Sequence, residues 1–217
     1  MSIISFKIAI DGGSASGKTT GSKFIAKNFG FKLLSSGKLY RYLALRIIKN
    51  NGKYNYNFIN KVATNITLKK LNTNQLYNSK VTKLSSIIAK KKYIRSSLKK
   101  FQKKFIQKNK KVIKEGRDIS SKIIPNADLK IFFKCSIKEK SKRRLKELRK
   151  KNKNIKLKEV EKSLKLRDFS DKNRKESPLL LVKVAVLVDT TNLNLKQMEA
   201  KLNKLVKEHI LKKNGNL

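Results

Sequence analysis

The chain has no tryptophan, one cysteine, one histidine and two prolines in 217 residues. A single thiol, Cys135, excludes an intramolecular disulfide, and with His209 as its only companion it excludes a zinc site built from Cys and His. No apolar run approaches the about 20 residues that a membrane-spanning helix needs, so no membrane association is expected. The first residues, Met1-Ser2-Ile3-Ile4-Ser5-Phe6, carry neither a charged leader nor a long apolar stretch. No signal peptide is therefore expected, and the setting reads as cytoplasmic and reducing. Acids are scarce as well: 14 Asp and Glu stand against 56 Lys and Arg, a net charge of +42, and no acid lies between Asp11 and Glu115.

Such a charge invites a nucleic-acid reading. Composition argues against taking it at face value. Lysine fills 47 positions, asparagine 20 and isoleucine 21, whereas arginine fills only nine. A bias shared by a cation, an amide and an aliphatic is what a coding sequence poor in G and C produces, rather than selection for phosphate contacts. The aromatics show no stacking pattern and no nucleic-acid-binding motif is present, so non-specific affinity for nucleic acid is expected only as a by-product of charge. The hydrophobic share of 39% is enough for a core.

Ile4, Phe6, Ile8 and Ile10 begin an apolar strand that runs into Asp11 and a glycine-rich turn. A helix with Phe24, Ile25 and Phe29 on its inner face follows and stops at Gly30. Phe31–Leu34, Lys111–Lys114, Leu129–Phe133 and Val184–Val188 read as further strands, and a second helix passes through Tyr40, Leu43, Leu45 and Ile48. Five short apolar strands separated by helical patterns predict an α/β fold with a parallel sheet covered on both faces. Residues 50–92, rich in Asn and Lys, read as an inserted small domain or partly irregular structure. Residues 138–176 hold two basic helical stretches joined by Lys150–Asn154, the second with Leu157, Val160 and Leu164 on one face. His209 reads as a solvated helix residue and Cys135 as core filler beside Phe132 and Phe133.

Gly12-Gly13-Ser14-Ala15-Ser16-Gly17-Lys18-Thr19 matches G-x-x-x-x-G-K-[ST] without a mismatch, between a strand and a helix. Glycines let successive N–H groups face an anionic phosphate, and the helix dipole adds favourable charge. Lys18 is expected on the β- and γ-phosphates of ATP and the Thr19 hydroxyl on Mg²⁺, with Thr20 completing the nucleotide loop.

In a chain this rich in lysine, each remaining arginine is a candidate for two-point recognition of phosphate or carboxylate, which an ammonium does not provide. Arg46 and Arg149 read as surface residues. Glu115-Gly116-Arg117-Asp118 follows a strand directly, where α/β sites place ligand groups. Arg167, Asp171 and Arg174 recur at i, i+4 and i+7, one side of a helix.

These residues together resemble the bacterial cytidylate kinases, nucleoside monophosphate kinases of the P-loop class. Leu33-Leu34-Ser35-Ser36-Gly37-Lys38-Leu39-Tyr40-Arg41 is similar to that family's LLDSGxxYR segment, and Ile94-Arg95 with Gln102 to its VR…QR helix. Glu115-Gly116-Arg117-Asp118 resembles DGRD, Arg167 to Arg174 resembles RDxxDxxR, and Val188-Asp189-Thr190-Thr191 resembles the closing DSTT element. Departures are Ser35 and Glu115 where the family has Asp, and Lys103 where it has Arg.

The resemblance implies one three-layer P-loop kinase domain over 1–217, with a five-stranded parallel sheet, a small monophosphate-binding insertion at about 36–100 and a helical lid at about 140–176. It implies transfer of the ATP γ-phosphate to CMP or dCMP by a monomer. Ser36, Tyr40, Arg41 and Arg117 would surround the acceptor, with the arginines on its phosphate. Ser86, Arg95, Asp118 and Arg174 would read the cytosine edge, and Arg167 and Asp171 would hold sugar and phosphates. Arg143 and Arg144 are expected as lid cations near the transferring group, acting with Lys18, Arg117 and Arg167. A kinase for UMP or dTMP is the nearest alternative, and a nucleic-acid-binding protein with a phosphate loop the more distant one.

Overall fold

A computed structural model describes residues 5–150 and 152–215. Ile4 of the expected first strand, and Lys151 of the expected joint, lie outside them. The chain divides into two compact units, one formed by 1–33 with 110–217 and the other by 34–109.

In the first unit, β1 (Phe6–Gly12) is flanked by β3 (Lys111–Gly116) and β4 (Leu129–Lys134), and β5 (Val186–Asp189) lies outside β4. The five-stranded sheet has the order β2-β3-β1-β4-β5, where β2 is Lys32–Ser35. β1 pairs in parallel with β3 and β4, and β4 with β5. Order therefore reverses beside β1, the switch point at whose carboxyl end α/β sheets bind their ligands. β1 is buried on both faces, which explains its near-continuous apolar run. It extends two residues past the expected end because Asp11 and Gly12 still pair with Phe132 and Phe133.

Helix α1 (Lys18–Phe29) ends at Gly30, and α8 (Leu195–Lys213) packs with it against the sheet through Ile25, Met198, Leu202 and Val206. Phe6, Ile8, Ile10, Ile113, Ile131, Phe133 and Val188 complete that core. Helices α6 (Ile137–Arg149) and α7 (Leu157–Asn173) follow β4. On α7, Val160 and Leu164 are buried as expected, but Leu157, its first residue, is exposed. Val184, expected in the last strand, precedes it and is exposed too.

Past the last residues of β2, the second unit is helical: α2 (Ser36–Lys49), α3 (Tyr56–Thr64), α4 (Ser79–Ile88) and α5 (Lys92–Lys108), with short 3₁₀ turns at Lys69–Leu71 and Asn74–Tyr77. Its core includes Leu39, Leu43, Ile47, Ile59, Leu76, Val81, Ile88, Ile94 and Leu98. The asparagines that suggest irregularity in the sequence start helices instead. Asn55 accepts from the Phe58 N–H at 2.9 Å and Asn78 from the Val81 N–H at 2.7 Å.

Candidate active site

The loop after β1 is shaped by its glycines. A Cβ on Gly12 would lie 2.5 Å from the Phe133 carbonyl oxygen, so β4 approaches too closely for any side chain there. Gly17 takes φ 86°, the left-handed conformation that turns the chain into α1. Lys18 folds back over the loop and donates to the Gly13 carbonyl at 2.8 Å. Burial pulls its ammonium well below the usual lysine range, Arg117 and Arg167 push the same way, and Glu115 and Asp171 oppose them. A phosphate restores the countercharge that such a buried cation lacks.

Arg117, just past the end of β3, bridges a carboxylate and a loop hydroxyl rather than gripping one anion at two points. Its Nε donates to Asp171 Oδ2 at 2.7 Å and its Nη2 to the Ser14 hydroxyl at 2.9 Å. Arg174 Nη1 approaches the other oxygen of Asp171 at 3.5 Å and its Nε donates to the Ser177 carbonyl at 2.7 Å. Burial raises the Asp171 carboxyl, but Arg117, Arg167 and Arg174 outweigh it and hold the group below its ordinary value. Lys18, Arg117, Arg167, Asp171 and Arg174 thus form one charge cluster against the loop.

Asp11, near the end of β1, is tied to the backbone that follows β3. It accepts from the Ile119 and Ser120 N–H groups, each at 2.8 Å, and so fixes the π-helical turn Ile119–Ile123 that follows Asp118. Burial raises its pKa despite those bonds.

Glu115 supplies a place for a hard cation. Its Oε1 accepts from the Thr19 hydroxyl at 3.2 Å, and its buried Oε2 has no hydrogen-bond partner. A threonine hydroxyl beside an unsatisfied carboxylate oxygen suits Mg²⁺, which takes one or two protein oxygens and fills its shell with water and phosphate. Among the described residues no cluster of three or more Asp, Glu, His or Cys forms a closed metal centre.

The family model of cytidylate kinase matches residues 8–208. The chain belongs to the cytidylate kinase family. It is 38% identical to the cytidylate kinase of Fusobacterium nucleatum over 207 residues, covering 88% of this chain and 92% of that protein. It is 35% identical to the cytidylate kinase of Mycoplasmoides gallisepticum over 216 residues, covering 96% of each. Among solved structures, TT1252 from Thermus thermophilus aligns with a TM-score of 0.52 at 13% identity, over 94% of this chain and 97% of that one, a likeness of fold.

Other residues expected from the cytidylate kinase resemblance fall in two groups. Within residues 34–109, Ser36 donates to Gln102 Oε1 at 3.2 Å, the Arg95 guanidinium lies 5.6 Å from the Tyr40 ring centre, and Arg41 lies 5.1 Å from that of Tyr77. Ser86, half-buried on α4, donates to the Lys83 carbonyl at 2.7 Å. Of the two expected lid cations on α6, Arg143 reaches the loop through Thr190, whose hydroxyl accepts from Arg143 Nη1 at 3.1 Å and donates to the Ser16 carbonyl at 3.0 Å, and Arg144 pairs along its own helix. Arg143 binds the Thr190 carbonyl at 2.7 Å and Glu139 at 2.9 Å, and Arg144 pairs with Glu147 at 2.7 Å.

Lys140 takes the place nearest the loop. It pairs with Asp168 Oδ2, while Asp168 Oδ1 accepts from the Ser14 N–H at 3.1 Å. A carboxylate thus occupies a loop amide that is suited to phosphate. Neither residue is a sequence candidate: Lys140 is one lysine among many, and Asp168 lies unremarked inside the Arg167–Arg174 motif.

Proposed function

We propose the following division of labour for the reaction of the cytidylate kinase family, in which the γ-phosphate of ATP passes to CMP or dCMP. The acceptor phosphate is already an anionic nucleophile, so no strong base is required. Catalysis lies in bringing two polyanions together and spreading the charge that develops. The loop amides of Gly13 to Thr19 with Lys18 hold the ATP phosphates, and Arg117 and Arg167 stabilise the transferring group. Mg²⁺ bound at Thr19 and Glu115 would neutralise phosphate charge. Within the insertion at about 36–100, Ser36, Tyr40 and Arg41 take the monophosphate, with Arg41 on its phosphate, and Ser86 and Arg95 join Asp118 and Arg174 on the cytosine edge. Asp171 orients Arg117 and Arg174 as well as meeting the sugar.

Residues 140–176 act as the lid, and its cation toward the phosphates is Lys140, with Arg143 anchoring α6 to Thr190. Closing the lid excludes water and limits ATP hydrolysis. The nucleotide substrates favour a cytoplasmic setting, and the enzyme is taken to act as a monomer. The observation that carries this reading is the gathering of Lys18, Arg117, Arg167 and Asp171 against one phosphate loop. ADP release measured with Mg-ATP across CMP, dCMP, UMP and dTMP tests it. Turnover with CMP and dCMP is expected, and Lys18→Ala should abolish it. A response to UMP or dTMP alone overturns the assignment of the base-reading residues.

A further inference from the structure

The cations and acids are not mixed through the molecule. Residues 34–109 hold nineteen Lys and Arg and not one Asp, Glu or His, whereas all 14 acids lie in the other unit. Compositional drift toward lysine thins acids everywhere alike and does not clear a single folded unit of them. The same unit contains all six tyrosines of the chain.

Four of these residues meet on one surface. Tyr54 and Tyr56, before and at the start of α3, lie against Lys91 and Tyr93 at the start of α5, in matching steps of two. Lys91 donates to the Tyr54 hydroxyl at 2.7 Å with its Nζ 4.9 Å from the ring centre. Tyr56 and Tyr93 have ring centres 6.5 Å apart, and Tyr56 remains 56% exposed. Lys53, Lys90, Lys91 and Lys92 are exposed around them. The sequence hides this arrangement because its halves stand 37 residues apart.

We propose that this surface docks single-stranded RNA, with unpaired bases stacked on Tyr56 and Tyr93 and the backbone tracked by Lys53 and Lys90–Lys92. An exposed ring among cations serves a strand whose bases are splayed out, and it gives a duplex nothing to stack on. No carboxylate of the same unit repels the phosphates. The surface uses none of the residues assigned to phosphoryl transfer, so it stands independently of that assignment.

Fluorescence anisotropy of a labelled 16-nucleotide oligouridylate with the full chain tests it, alongside duplex DNA and heparin as competitors. Dissociation constants near about 10⁻⁶ M at low salt are expected. Tyr56→Ala should weaken binding about tenfold, the effect of one lost base stack. Lys90→Gln/Lys91→Gln/Lys92→Gln should flatten the slope of log K against log[salt] by about 2, from three lost phosphate contacts. Lys201→Gln/Lys204→Gln/Lys207→Gln, which removes three exposed charges from α8, should change either quantity far less. CMP turnover should be unchanged in Tyr56→Ala. Equal losses in the two triple variants, an unaffected Tyr56→Ala, equal preference for heparin or duplex DNA, or no binding at low salt each overturn the proposal.

Discussion

Lys114 is the sharpest point at which to test the electrostatics of the first unit. It sits on β3 paired with Ala9 and is fully buried, an unusual place for an ammonium. Burial lowers its pKa from the ordinary 10.5 to about 7, against the pull of Asp118, Glu115 and Asp11. A base whose pKa falls on folding binds its proton more tightly in the unfolded chain. Folding is therefore penalised fully below pH 7, less at each step from pH 7 to 10.5, and not at all above.

Lys114→Met keeps the length and removes the titrating group. At about 1.4 kcal/mol per pH unit, the stability of the variant relative to the parent should fall by about 2 kcal/mol from pH 7 to pH 9 as the parent is relieved of the penalty. Urea unfolding followed by circular dichroism in metal-free buffer at pH 7, 8 and 9 measures that change, and taking the difference cancels the other lysines. A stability difference that is constant across this range, or one that moves the other way, refutes the reasoning.

Arg117→Lys keeps the charge but cannot reach both Asp171 and Ser14, so kcat should fall about 100-fold or more in a coupled ADP-release assay. Near-normal turnover would show that the bridge is dispensable. Asp168→Asn removes the negative charge on the Ser14 amide and frees Lys140, so calorimetry without CMP should find ATP bound several-fold more tightly. Unchanged or weaker ATP binding counts against the carboxylate as a competitor of phosphate. Asn194 and Gln197 form a reciprocal cap at the start of α8, and Asn194→Ala should cost about 1 kcal/mol, lowering Tm by about 2–4 °C. Asn194→Ser should restore most of it.

The parallel sheet and phosphate loop were legible because both are local. An apolar run ending in G-x-x-x-x-G-K-T has few other ways to fold. Arg117, Asp171 and Arg174 stood out by contrast, as arginines and acids in a chain poor in both. For residues 50–92, read as an inserted small domain or partly irregular structure, the helices stayed hidden because Asn55 and Asn78 show their place as caps only once those helices are known. Lys140 gave no signal for the opposite reason to Arg117: one lysine among 47 has no contrast. The partners of Arg143 and Arg144 depend on which way α6 turns, which periodicity alone does not fix.

The one-sided placement of acids also decides where the protein is vulnerable to low pH. With no Asp, Glu, His or Cys between Leu34 and Asn109, that unit has no side chain that changes charge from neutrality down to strong acid. Every proton taken up on acidification goes to the other unit, where Asp171 and the other carboxylates lose their arginine and lysine partners as they are neutralised. Acid should therefore open the nucleotide loop and its sheet while the helices of residues 36–108 keep the charge, and the internal forces, that they have at pH 7.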